Sequence, residues 1–328
     1  MSTIVNTIAL ETFLKPVFPW LDQEGVSELS INKPGEIWIE KGGDMRRVSV
    51  PELDGEHLLA LGRLIAEWTR QEISAERPIL SATLPAGQRV QVVLPPAAQE
   101  FCLSIRKPTS LAYDLKTYEA GGAFNQTVRQ NGTQAHDQKL AAAYNQDHYG
   151  DFIRRAVQCR KNMIISGGTS TGKTTFLNAC LREIPIHERL ITIEDAREVV
   201  IPHPNRVHLL ASRGEQGQAR VTPQQLLEAS LRLRPDRIIM GELRGAEAFS
   251  FLRAINTGHP GSIATLHADS PAMAFEQLAL MVMQAGVALD RPQIMEYVRR
   301  IIEVVIQLKR GDGGRRYVSE IYYAGGNL

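Results

Sequence analysis

The run Gly167-Gly168-Thr169-Ser170-Thr171-Gly172-Lys173-Thr174 matches GxxxxGKT at every fixed position, and Thr175 follows it. Each residue type suits a phosphate. Glycines let successive backbone N–H groups turn inward around phosphate oxygens, and the helix that follows adds positive potential at its N-terminus. Lys173 can reach β- and γ-phosphates, and the Thr174 hydroxyl can ligate Mg²⁺. The apolar Met163-Ile164-Ile165 reads as a strand before the loop, and 174–184 as a helix after it, which is the setting the motif requires. A glycine turn with an incidental lysine does not account for a full match in that setting.

Hydrolysis also needs a carboxylate near the metal and the attacking water. Glu194, Asp195 and Glu198 follow the apolar run 190–193, and Glu242 follows 237–240. Loops at strand ends of an open α/β sheet converge on a ligand. A lone acid there is as often a solvated loop residue or a cap, but a phosphate loop in the same region favours chemistry. His259 and His267 bracket the run 262–266. Their spacing is not that of a helical metal pair, and no cysteine accompanies them, so spacing alone favours structural histidines.

These residues need a frame. From 163 onward short apolar runs at 163–165, 190–193, 207–210, 237–240, 262–266, 304–308 and 317–323 alternate with helical stretches. Thr222-Pro223 and Ser270-Pro271 open helices, Asp290 caps another, and Gly258 closes the helix at 246–256. That alternation predicts a mostly parallel sheet covered on both faces. The first hundred residues read as a smaller α/β domain. Leu10, Phe13, Leu14, Val17 and Phe18 share a helical face, and Leu58, Leu61, Leu64, Ile65 and Trp68 mark a helix at 55–71. Strand-like runs follow at 37–39, 89–94 and 101–106. The stripe at 8–21 reads as core, with a membrane-docking face as the alternative. Residues 121–146, rich in Gly, Asn, Gln, Thr and His, suit a solvated linker. The expected division is an N-terminal α/β domain at 1–108, a polar linker at 109–147 and a P-loop domain at 148–328.

Composition narrows the class. The chain has 328 residues, 43% hydrophobic and 22% charged, and 37 basic residues nearly cancel 36 acidic ones. No whole-chain field argues for nucleic acid, and no sequence-specific nucleic-acid binding is expected. Cys102, Cys159 and Cys180 form no CxxC pair, which suits buried thiols in a reducing compartment. No apolar run approaches the roughly 18 residues that would span a bilayer, and no secretory leader is evident. A cytoplasmic protein is expected, peripheral on a membrane surface at most.

Taken in order, the P-loop, the box Ile191-Thr192-Ile193-Glu194-Asp195, the box from Leu231 through Arg234-Pro235-Asp236 to Gly241-Glu242-Leu243-Arg244-Gly245, and the Gly261-Ser262…Thr265-Leu266-His267 box resemble the secretion ATPase superfamily. Over nearly the whole chain the resemblance is to the VirB-type traffic ATPases of type IV secretion. Ser104-Ile105-Arg106-Lys107-Pro108 looks like the segment that ends that branch's N-terminal domain. The resemblance implies a RecA-like C-terminal domain and a homohexamer that hydrolyses ATP with Mg²⁺. It implies that Glu242 acts on the metal or the lytic water, that Glu198 faces the nucleotide, and that Glu194 and Asp195 shape the site. His267 would sense the γ-phosphate. Gly167 through Thr175 would hold the phosphates, Thr174 with Glu242 the metal. ATP is then expected between the two domains of one subunit, with Arg106 reporting the γ-phosphate across the gap. The implied setting is the cytoplasmic face of the bacterial inner membrane, beside secretion components that include other ATPases, with indirect contact to protein or DNA–protein cargo.

Other readings stay open on sequence alone. Type II secretion members carry a four-cysteine metal module, absent here. A type IV pilus assembly or retraction motor is the nearest rival, and a nucleotide-dependent scaffold without significant turnover is another. A small-molecule kinase would not predict the histidine box, a helicase would want a basic stripe, and no LSGGQ run marks an ABC-type ATPase. The long polar stretch also allows the N-terminal domain to pack over a neighbouring subunit.

Overall fold

The computed structural model describes residues 2–108, 114–125, 127, 135–212 and 218–326, without the side chains of 2–7 and 135–137. In the first third, α1 (Ser2–Leu14), α2 (Phe18–Leu21) and α3 (Gly55–Trp68) accompany β1 (Val26–Ile31), β2 (Glu36–Lys41), β3 (Asp44–Ser49), β4 (Ile79–Thr83), β5 (Arg89–Val93) and β6 (Cys102–Arg106). The strands form one antiparallel sheet in the order β3-β2-β1-β6-β5-β4. Alternate strand residues face one side, so Leu29, Ile31, Ile37, Ile39, Val90, Val92, Leu103 and Ile105 meet Leu10 and Leu14 of α1 and Leu58, Leu61 and Ile65 of α3. The stripe at 8–21 is thus largely core: Leu10, Leu14, Val17 and Leu21 are buried, and of its large apolar residues only Ile8 is exposed. Asp54 caps α3 by accepting from the His57 amide.

The stretch expected to be linker holds α4 (Leu115–Ala120), α5 (Ala135–Asn145) and the approach to α6 (Tyr149–Gln158). Its residues 109–113, 126 and 128–134 lie outside the described residues. α4 buries nothing. α5 differs from a solvated linker: Leu140, Ala141 and Ala143 enter the C-terminal core beside Phe152, and Tyr144 Oη donates to the Ile321 carbonyl at 2.9 Å. A short apolar face in an otherwise polar run was enough to dock it.

The C-terminal sheet comprises β7 (Met163–Gly167), β8 (Leu190–Glu194), β9 (Arg206–Leu210), β10 (Arg237–Met240), β11 (Ile263–Leu266), β12 (Val304–Arg310) and β13 (Arg316–Tyr323), in the order β13-β12-β7-β11-β10-β8-β9. All neighbours are parallel except β12 with β13. β7, β8, β10 and β11 are buried along their whole length, as both faces are covered. Met163, Ile165, Leu190, Ile239 and Ile263 pack under α5, α6 and α7 (Lys173–Leu181). Ile164, Ile191, Ile193, Ile238, Met240 and Ala264 pack on the opposite side, under α8 (Pro223–Ser230), α9 (Glu247–Asn256), α10 (Pro271–Gln284) and α11 (Arg291–Ile301). This is the α/β architecture expected, a P-loop sheet with a smaller α/β layer.

The two sheets meet along β9. Residues 97–99 add to its free edge: the Leu210 amide donates to the Ala97 carbonyl at 2.7 Å, and the Gln99 amide to the His208 carbonyl at 3.0 Å. Arg189, fully buried, reaches across from the amino end of β8, with Nη1 donating to Asn32 Oδ1 at 2.7 Å and Nε to the Leu233 carbonyl at 2.8 Å. Arg234 pairs with Glu40 at 2.6 Å.

Candidate active site

β7 delivers the chain to the loop, and α7 takes it away. Ser170 (φ 60°) and Gly172 (φ 90°) are both left-handed, which curls the amides around a central hollow. For Ser170 that conformation costs about 1–2 kcal/mol, strain of the kind that functional loops retain. Gly167 is required by packing, because a Cβ there would lie 2.6 Å from Thr171 Oγ1 and 2.7 Å from the Leu308 carbonyl oxygen. Lys173 Nζ donates to the carbonyls of Gly167 at 2.9 Å and Gly168 at 3.0 Å, and faces His267 Nδ1 at 3.4 Å. Burial lowers its pKa, with Glu242 acting against that shift.

Because the strands are parallel, β8, β10 and β11 all end at the edge where β7 enters the loop. Glu242, just past β10, accepts from His267 Nε2 on one oxygen at 3.0 Å and from Arg244 Nη2 on the other at 2.6 Å. Arg244 also pairs with Asp195 at 2.8 Å. A continuous chain Lys173–His267–Glu242–Arg244–Asp195 results. With Nδ1 accepting from the Lys173 ammonium, the network assigns the imidazole proton to Nε2, where it donates to Glu242. Thr174 Oγ1 donates to Glu198 Oε2 at 3.0 Å.

Glu194 is used differently. Its Oε1 accepts from the amides of Glu198 at 2.9 Å and Val199 at 2.7 Å, and burial raises its pKa. It fixes the backbone that presents Glu198, a positioning residue more than a group offered to substrate. The cavity enclosed by these residues measures about 450 Å³ and runs from Thr169–Thr175 past Glu194, Asp195 and Glu198 to Glu242, Arg244, Thr265, His267 and Arg316.

Arg106 is not among them. It stands exposed on β6 in a separate, larger cleft of about 900 Å³ with Glu28, Arg89, Arg232, Arg234 and His259. Pro235 and His259 precede β10 and β11, so this cleft lies at the amino ends of the strands whose carboxyl ends carry the loop cavity. Arg106 thus stands apart from the loop cavity of its own chain in this structure. Strand addition at β9 and the Arg189 contact hold the N-terminal sheet away from the loop. His259 belongs to that far end too, with Nδ1 against the Pro235 carbonyl at 2.9 Å.

Sequence reasoning missed Arg244 and Arg316 as lining residues. Arg244 lay within a quoted box, two residues after Glu242; nothing local marked Arg316. Arg89 was also passed over, although it pairs directly across the sheet from Arg106.

The model of the "Type II/IV secretion system protein" family matches residues 11–310. The chain belongs to this family. It is 39% identical to the type IV secretion system protein VirB11 of Bartonella quintana, over 97% of this chain and 94% of that protein. It is 40% identical to VirB11 of Brucella suis, over 98% of this chain and 92% of that protein. The crystal structure of the Brucella suis VirB11 ATPase in complex with sulphate superposes with a TM-score of 0.92 at 38% identity, covering 98% of this chain and 96% of that one. The chain is accordingly a VirB-type traffic ATPase, an enzyme that uses nucleotide. No helix among the described residues is long and apolar enough to cross a membrane.

Proposed function

We propose that this traffic ATPase binds ATP with Mg²⁺ in the loop cavity and hydrolyses it as a homohexamer, powering export in a type IV secretion system. The observation that carries the reading is the contact chain from Lys173 through His267 to Glu242, which links the phosphate loop to a strand-end carboxylate. The amides of Gly167–Thr175 and the Lys173 ammonium grip the phosphates. Glu242 orients the attacking water, whose oxygen bonds to the γ-phosphorus as the bond to the ADP oxygen breaks. His267, touching both Lys173 and Glu242, registers loss of the γ-phosphate.

The residues present fit a divalent cation. Thr174 Oγ1 and Glu198 lie together beside the loop, with Glu242 on the facing strand end. Among the described residues no group of three His, Cys, Asp or Glu could hold a metal alone, which suits Mg²⁺ drawing most of its shell from phosphate oxygens and water. When bound, Mg²⁺ neutralises charge on the β- and γ-phosphates.

The division at 1–108, 109–147 and 148–328 is carried forward with α5 assigned to the ATPase side. Arg106 and Arg89 act on a nucleotide held by a neighbouring copy, since their own loop lies at the other end of the sheet. Secretion components at the cytoplasmic face of the inner membrane are the partners, and the cargo is protein or a DNA–protein complex.

Phosphate release by wild type and Glu242→Gln tests the core of this. A fall of about a hundredfold or more in kcat, with ADP affinity retained, is expected. Equal turnover by both proteins would overturn it. Mixing Arg106→Ala subunits with Lys173→Ala subunits should restore turnover if the arginine works in trans.

A further inference from the structure

β11, β10 and β8 lie on one side of β7 and bring His267, Glu242 and Glu194 to the loop; β12 and β13 lie on the other side. Because β13 runs antiparallel to β12, with Arg310 opposite Arg316, its first residue returns to the edge where the parallel strands end. Arg316 therefore lines the loop cavity from the side away from the acids. Its stem crosses the loop itself. A Cβ on Gly172 would stand 2.9 Å from Arg316 Cδ, with Nε at 3.7 Å and Nη1 at 3.8 Å. Gly172 thus serves the left-handed turn and also leaves room for this side chain.

The cavity's other cations are already engaged. Lys173 donates to the carbonyls of Gly167 and Gly168, and Arg244 bridges Asp195 and Glu242. The Arg316 side chain has no hydrogen bond or ion pair among the described residues. A guanidinium is a planar fork of donors matched to a pair of phosphate oxygens. One left open against a phosphate loop, across from four carboxylates, is disposed to take an anion and no protein group supplies it.

We propose that Arg316 binds the phosphates that ADP retains, and so sets affinity for ATP and ADP alike without acting on the bond that breaks. The side of approach carries this assignment: Glu242 and His267, which meet the γ-phosphate, stand across the loop. The inference rests on the loop cavity being the nucleotide site.

Arg316→Ala, Arg316→Gln and Arg316→Lys test it by ADP titration and steady-state ATP hydrolysis on the full chain. Loss of one charge-assisted pair should weaken ADP binding about ten- to a hundredfold. KM for ATP should rise by a similar factor, with kcat kept within about twofold. Arg316→Lys should recover part of the loss, since the charge remains and the fork does not. Unchanged ADP affinity in the Ala and Gln variants would overturn the inference. So would a fall in kcat with ADP affinity intact, which would put the guanidinium on the transferred phosphate. A wild-type protein that binds no ADP would bring down the site itself, an outcome distinct from wild type and variants binding equally.

Discussion

His259 and His267 show what residue-level reading can and cannot do. They bracket one strand, and spacing gave no ground to separate them. β11 runs between them, so they stand at opposite ends of the sheet. His267 reaches Lys173 and Glu242, whereas His259 bonds the Pro235 carbonyl and burial lowers its pKa. His267→Ala is expected to cut kcat by about tenfold or more by leaving one Glu242 oxygen and Lys173 without their link. His259→Ala should leave kcat within about twofold while lowering Tm; steady-state assays with a thermal melt of each variant decide this. Arg244 belongs to the same scale. It is a largely exposed bridge, so Arg244→Ala should change stability by only about 0–1 kcal/mol, yet it frees Glu242 and Asp195 to move. Its kcat should fall more than its Tm suggests, measured by phosphate release beside a urea titration.

Among elements, the helix starts were the most readable. Thr222 and Asp290 cap α8 and α11 with full capping boxes, each followed by proline in the first turn. Thr222→Ala should lose about 1 kcal/mol in urea unfolding with ATP turnover unaltered. The junction at β9 was not readable. His208 there is mostly buried, its Nδ1 beside Thr192 Oγ1 at 2.9 Å. Burial, then the positive charges of Arg206 and Arg197, push its pKa down to about 4. A histidine depressed in the folded state favours the neutral form. Its contribution is present in full above the ordinary value near 6.5 and is lost as pH falls from there toward 4. The span corresponds to about 3 kcal/mol at its acid end. Unfolding free energies at pH 7 and pH 4.5 should therefore differ less in His208→Gln than in wild type. A parallel pH dependence in both proteins would refute the assignment.

At the scale of the molecule, the buried Arg189 joins the two sheets. It sits fully buried between Asn32, Asn205 and the Leu233 carbonyl, and burial lowers its pKa. Arg189→Ala would leave these acceptors unmatched across the joint and should cost roughly 3 kcal/mol or more. Urea unfolding followed by Trp fluorescence should show it; the N-terminal sheet carries Trp38, so early loss of that signal would mark release of the sheet from β9.

Motif, strand polarity and helix caps were legible in the amino-acid order because each is local. The phosphate loop, the acids past 190–193 and 237–240, and the histidine box all sit within a few residues of the strand that carries them. A parallel sheet then gathers every carboxyl end at one edge without further instruction. Tertiary structure alone decided the rest. The β12–β13 hairpin is local, but that Arg316 reaches the loop depends on β12 pairing in parallel with β7, from the far end of the domain's sequence. That Arg106 faces a different cleft depends on residues 97–99 adding to the edge of β9. Both are pairings between segments far apart along the chain, settled by which polar edges and apolar faces bury best together, and not by any residue's immediate neighbours.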